Sequence, residues 1–273
     1  MSAEIGRTVD VGGIATNYHD EGDGPPVLLI HGSGPGVSAW ANWRLTIPAL
    51  AKRFRVVAPD ILGFGYTERP DGVTYHPETW LGHLTGLLDA LDLDRVSIVG
   101  NSFGGALALR LAVEQPHRLD RLVLMGSAGI SFPITDGLDA VWGYQPSVEA
   151  MRALMGVFAY DRALLTEELA QLRYEASTRP GVQEAYASMF PAPRQNGVEL
   201  LALPEERIAA IDAETLIIHG RDDQVIPLAN SERLVRLIRP SQLHVFGRCG
   251  HWVQIEQADR FNLLLENFLA EAG

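Results

Sequence analysis

Hydrophobic positions along the chain follow two rhythms. Near the start, Val9, Val11, Ile14, Thr16 and Tyr18 alternate loosely around Gly12-Gly13, a dipeptide that supplies the positive backbone angles of a tight turn. A β-hairpin is predicted there. Val27-Leu28-Leu29-Ile30 is then a continuous apolar run ending in His31-Gly32-Ser33-Gly34-Pro35-Gly36, the pattern of a strand buried on both faces that enters a glycine-rich loop. Helical spacing follows over 39–52, 77–91 and 103–115. Short strands are predicted over Arg55 to Ala58, Arg95 to Val99 and Leu119 to Met125. Strand alternating with helix in short steps argues for a parallel sheet flanked by helices.

The alternation breaks over 131–206. That stretch has no strand pattern, but Trp142, Met151, Met155, Phe158, Tyr174 and Met189 recur at helical spacings, interrupted by Pro133, Pro146, Pro180, Pro191 and Pro193. It reads as a helical insertion. The division is therefore a core of 1–130 and 207–273, with 131–206 inserted. Strand and helix resume with Thr215 to His219, a helix near 228–238, Leu243 to Phe246, and a last helix ending near Ala270.

Composition narrows the partners. Of 273 residues, 22 are Lys or Arg and 34 Asp or Glu, a formal net charge of -12, which repels phosphate backbones and anionic lipid. Nucleic acid and membrane are not expected as partners. No apolar run reaches the 18 or so residues that span a bilayer, and the start lacks a basic segment followed by an apolar one. The single cysteine, Cys249, excludes an intramolecular disulfide. A soluble, cytoplasmic protein is expected.

The chemistry concentrates at Gly100-Asn101-Ser102-Phe103-Gly104-Gly105, between the strand ending at Val99 and the helix beginning Ala106-Leu107-Ala108. This is a Gly-x-Ser-x-Gly elbow in the strand-turn-helix setting its chemistry requires. The glycines let strand and helix approach, so that Ser102 Oγ stands clear of the backbone. The Phe103 amide falls at a helix N-terminus, where it can donate to an oxyanion. A serine hydroxyl is a weak nucleophile and needs a base, oriented in turn by an acid. His251 follows the last strand, where the base falls in the order Ser, Asp, His. The loop Gly220-Arg221-Asp222-Asp223-Gln224-Val225-Ile226-Pro227 offers two adjacent aspartates. Its Gly-x-x-Asp-x-x-x-Pro spacing selects Asp223, with Asp222 as the alternative. His31 is read as holding the loop that carries the second oxyanion amide. His76, His83, His117, His219 and His244 are read as satisfied or solvated, and no His, Cys, Asp and Glu cluster has metal-ligand spacing.

With these pieces in place the chain resembles the α/β-hydrolase superfamily over nearly its whole length. The motifs His31-Gly-Ser-Gly-Pro-Gly36, Trp40-Ala41-Asn42-Trp43, the serine elbow, Gly220-Arg-Asp-Asp223 and Gly250-His251-Trp252 together resemble its meta-cleavage product hydrolases, and the elbow resembles the 2-hydroxymuconate semialdehyde branch. The resemblance implies a mostly parallel eight-stranded sheet with a helical lid. It also implies a triad of Ser102, Asp223 and His251, with oxyanion amides from Ser33 and Phe103. Asn42, Asn101, Arg173 and Trp252 would line the polar part of the site. No cofactor or metal is implied, and a homo-oligomer is. The activity implied is hydrolysis of a carbon-carbon bond in a ring-opened catechol product, giving 2-hydroxypenta-2,4-dienoate and a small acid. Such a substrate ends in a carboxylate, which suits a guanidinium fork. On a helix over 162–178, Leu165, Leu169, Leu172 and Ala176 form the apolar face, with Arg173 at its edge. An ester or lactone hydrolase with the same triad is the rival reading, and a noncatalytic small-molecule receptor a more distant one.

Overall fold

A computed structural model describes residues 3–271. Eight strands, β1 (Arg7–Val11), β2 (Ile14–Glu21), β3 (Pro26–Ile30), β4 (Arg55–Pro59), β5 (Val96–Asn101), β6 (Leu119–Met125), β7 (Thr215–Gly220) and β8 (Ser241–Phe246), form one sheet in the order β1-β2-β4-β3-β5-β6-β7-β8. The hairpin is present: Val11 faces Ile14 across a two-residue turn whose glycines take φ +62° and +90°. Only the β1-β2 and β2-β4 pairs are antiparallel. The central strands β5, β6 and β7 are almost wholly buried because helices cover both faces, which is why their sequences are unbroken apolar runs.

Two apolar clusters fill the layers. One face packs Leu28, Ile30 and Ile98 against helices Pro77–Ala90 and Phe103–Glu114, and the other packs Leu29, Val56 and Val99 against Trp43 and Phe261. The stretch 39–52 is not one helix. It divides into Ala39–Trp43 and Ile47–Leu50, since Pro48 is tolerated in the first turn of a helix and not in its interior. The C-terminal helix divides likewise into Val253–Glu256 and Ala258–Ala270, with His251 two residues before the first.

Between β6 and β7 the described residues contain helices Asp136–Trp142, Val148–Phe158, Glu167–Ser177, Val182–Met189, Gln195–Leu201 and Glu205–Ile208, and no strand. The first three begin where Thr135, Ser147 and Thr166 accept a hydrogen bond from the amide three residues on. The third corrects the predicted apolar face. It starts at Glu167, Leu172 is 57% exposed, and the positions fully inside are Ala170 and Ser177. The cause is a close approach. A Cβ on Gly36 would lie 2.5 Å from the Ser177 amide, so only small side chains fit where the helix meets the loop after β3. Arg173, one turn before Ser177, shares that inward face. No helix among the described residues is long and apolar enough to cross a membrane.

The parallel strands β3, β5, β7 and β8 deliver their following loops to one edge of the sheet, the carboxyl edge where open α/β sheets bind ligands. Close packing beneath the elbow is strict. A Cβ on Gly104 would lie 2.3 Å from the Ile30 carbonyl oxygen, and one on Gly100 2.5 Å from that of Gly104. Gly104→Ala is therefore expected to destabilise the fold by about 3 kcal/mol or more, read by denaturant midpoint, because backbone rather than a flexible side chain must yield.

Candidate active site

Ser102 follows β5 and precedes helix Phe103–Glu114, with φ +56° and ψ -115°. That is a strained conformation for a residue with a Cβ. It is held by the Ser102 amide donating to the Met125 carbonyl at 2.9 Å, while the Ser102 carbonyl accepts from the amides of Gly105, Ala106 and Ala128. The side chain is thereby turned into a cavity instead of into the helix. The amides of Ser33 and Phe103 make no hydrogen bond to the protein among the described residues, leaving two donors free beside the serine.

His251 lines the same cavity as Ser102. Its Nδ1–H donates to Asp223 Oδ2 at 2.7 Å, while Asp223 Oδ1 accepts from the amides of Val225 and Ile226 at 2.7 and 3.0 Å. Burial pushes the Asp223 pKa up, but His251 and His219, by charge and hydrogen bond, more than offset this and hold it below the usual carboxylate range. Asp222 lies outside this arrangement, accepting from the Cys249 amide at 3.3 Å and facing Arg221. Ser102 and His251 are not hydrogen-bonded in this conformation. Such contacts commonly tighten only when substrate is bound.

His219, read from the sequence as merely satisfied, is a partner of Asp223. It is wholly buried, with Nε2 3.0 Å from the Ile226 carbonyl and 3.4 Å from Asp223 Oδ2. A carbonyl only accepts, so Nε2 carries the proton and Nδ1 takes the Ser231 hydroxyl at 2.7 Å. The loop carrying His251 is fixed from the insertion. The Phe158 carbonyl accepts from the His251 amide at 2.7 Å, and the Phe158 ring stacks on Trp252 at 5.1 Å and 9°. Glu256 secures the same loop through the Gly250 amide at 2.7 Å.

The loop after β3 is held as expected. His31 Nδ1–H donates to the Gly32 carbonyl at 2.7 Å and Nε2 accepts from the Ile61 amide at 3.0 Å. Burial lowers its pKa to about 4, so it stays neutral. Trp142 adds a contact the sequence did not signal, its indole N–H donating to Ser33 Oγ at 3.0 Å.

Asn42, Asn101, Arg173 and Trp252 all border the cavity. Asn101 is anchored to the Met125 carbonyl at 3.3 Å. Asn42 is 7% exposed and its Nδ2 has no acceptor. Burial lowers the Arg173 pKa from its ordinary value, and the charge of Glu4 opposes that shift. Asn42 Nδ2 is thus a buried donor without an acceptor among the described residues, a costly arrangement unless a ligand supplies oxygen, and the Arg173 guanidinium borders the same space. The opposite wall is apolar, formed by Leu138, Val141, Met151, Met155 and Val225, and the cavity is about 40 Å³.

The alpha/beta hydrolase fold family matches residues 25–258. The chain is 64% identical over 270 residues to a 2-hydroxy-6-oxo-2,4-heptadienoate hydrolase of Pseudomonas putida, covering 99% of this chain and 98% of that one. It is 60% identical over 271 residues to a 2-hydroxymuconate semialdehyde hydrolase of a Pseudomonas species, covering 99% and 96%. Among solved structures, a meta-cleavage product hydrolase from Pseudomonas fluorescens, a serine-to-alanine mutant complexed with acetates, superposes with TM-score 0.99 at 58% identity over 100% of both chains.

Proposed function

Because this chain belongs to the meta-cleavage product hydrolases of the α/β-hydrolase fold, we propose that it hydrolyses the carbon-carbon bond of 2-hydroxy-6-oxohexa-2,4-dienoates with a small group on carbon 6, hydrogen or methyl. The observation that carries this reading is that the serine site shares its cavity with the Arg173 guanidinium and with Asn42, whose Nδ2 has no acceptor among the described residues. An ordinary esterase has no need of them. A substrate with a terminal carboxylate does.

In this reading Arg173 and Asn42 hold the carboxylate, while Asn101 and Trp252 complete the polar end. Carbon is a poor leaving group, so the dienol must first become a ketone. His251 helps move the enol proton to carbon 5, which leaves a carbonyl at carbon 2 able to accept electrons. Ser102 Oγ, losing its proton to His251, then bonds to carbon 6, and the resulting oxyanion is received by the Ser33 and Phe103 amides. Collapse breaks the bond between carbons 5 and 6. The electron pair passes into the dienol fragment, which takes the proton from His251 and leaves as 2-hydroxypenta-2,4-dienoate. Water, deprotonated by His251, then releases the acyl group as formate or acetate. Asp223 keeps His251 in the required tautomer and stabilises its cation.

The segment 131–206 acts as a lid over this site. Its Met151 and Met155, being unbranched, shift to admit a substrate larger than the present space. The relatives named for the methyl and hydrogen substrates, at 64% and 60% identity, favour a small substituent. The expected order of kcat/KM is hydrogen and methyl well above phenyl, by about 100-fold or more, in steady-state assays with the three substrates. A phenyl substrate turned over fastest would contradict the assigned class. Arg173→Ala is expected to raise KM about 30- to 100-fold, the loss of about 2–3 kcal/mol of charge-assisted hydrogen bonding. Turnover of a neutral nitrophenyl ester by the same variant should change far less. A cytoplasmic homo-oligomer is part of this reading, supported by one free, buried cysteine and by family resemblance, and is tested by sedimentation of the purified protein.

A further inference from the structure

A second, larger cavity of about 590 Å³ lies on the other side of Asn42, Arg173 and Trp252, which border both spaces. Its remaining wall is largely apolar and includes Trp40, Leu169 and the 57% exposed Leu172. Three guanidiniums face it. Arg44 donates to the Ala41 carbonyl at 2.8 Å, and Arg179 donates to the Ala176 and Gly65 carbonyls and lies 3.8 Å above the Tyr66 ring. Glu4 and Glu175 line the cavity as well, and the Glu4 carboxylate acts by charge on Arg44 and Arg173, so three guanidiniums face two carboxylates and the lining keeps a positive excess on a chain of net charge -12. The cavity also holds an acceptor in want of a donor, since Gln254 is 1% exposed and its Oε1 has no partner.

We propose that this outer cavity is a second binding site, specific for a 2-hydroxy-dienoate anion, and the port through which substrate enters and the dienoate product leaves. Arg44 and Arg179 receive the carboxylate there, Gln254 accepts from the adjacent hydroxyl, and the apolar wall takes the diene. Passage inward transfers the carboxylate to Arg173 and Asn42, which stand at the boundary. The inference rests on the function proposed above.

The whole-chain charge and the local cluster predict opposite responses to salt, which makes the test decisive. Repulsion by a chain of -12 would make kcat/KM for an anionic substrate rise as salt screens it. A cationic port makes it fall. For the unsubstituted protein and the methyl substrate, kcat/KM is expected to drop about tenfold between about 20 mM and about 500 mM NaCl. Arg44→Gln should lower kcat/KM at low salt about fivefold and flatten that slope, and Arg44→Lys should keep the slope. A flat or rising dependence in the unsubstituted protein overturns the proposal, as does an Arg44→Gln slope equal to that of the unsubstituted protein. Failure of the unsubstituted protein to consume the dienoate at any salt would count against the function itself rather than the port.

Discussion

Ser102→Ala is expected to lower kcat for dienoate hydrolysis by about 10³- to 10⁶-fold, because it removes the hydroxyl that the elbow turns into the cavity shared with Ser33 and His251. Substrate binding should persist within about 1 kcal/mol, since the groups that hold the carboxylate are untouched and the lost atom is one oxygen. The fold should tolerate the change as well. The strain at 102 is set by backbone bonds to Met125, Gly105, Ala106 and Ala128, which alanine retains. Equilibrium titration with the dienoate followed by single-turnover absorbance separates the two effects. A variant that binds and turns over at the parent rate removes Ser102 from the chemistry.

Asp223→Asn should cost about 10⁴-fold in kcat, with a smaller change in KM. The carboxylate takes the His251 Nδ1 proton on Oδ2 and two loop amides on Oδ1, so an amide cannot reproduce both sets. If Asn keeps its oxygen toward Val225 and Ile226, its NH₂ faces Nδ1 and stabilises the wrong tautomer. There is a stability consequence too. Asp223 is held below the usual carboxylate range in the fold, so its ionised form stabilises the native state above the ordinary carboxylate pKa, and that contribution is lost as pH falls toward the folded value. Asparagine removes it at all pH values. Urea midpoints should therefore be lower than the parent's at pH 7, with the gap narrowing in acid. Asp222→Asn, on a side chain outside the site, should leave kcat within about twofold.

How much of this could be read in the sequence depends on the range of the interactions involved. The elbow was legible because its requirement is local: Gly100 and Gly104 admit only hydrogen where the helix passes the strand, and the serine between them follows. Asp223 and His251 were legible from the order of loops along a parallel sheet, which fixes the edge each loop reaches. The pairing of His219 with Asp223 was not, since a histidine ending a buried strand has the same local pattern whether or not a carboxylate turns back onto it. Trp142 on Ser33 and Phe158 on the His251 loop join residues about a hundred positions apart and leave no periodic trace. The helix Glu167–Ser177 misleads a hydrophobicity reading. Its apolar Leu172 is exposed beside the outer cavity, and what it buries is chosen for smallness, by the approach of Gly36 to Ser177. Arg173, read at the edge of the apolar stripe, borders the cavity beneath the insertion.

The most direct measurement is a stopped-flow record of dienolate absorbance when excess protein meets 2-hydroxymuconate semialdehyde, with the quenched mixture assayed for formate and 2-hydroxypenta-2,4-dienoate. The account predicts complete loss of the dienolate with one equivalent of each product. Dienolate that persists while the same protein hydrolyses a nitrophenyl ester would contradict carbon-carbon cleavage and leave an esterase whose Asn42 and Arg173 serve some other anion.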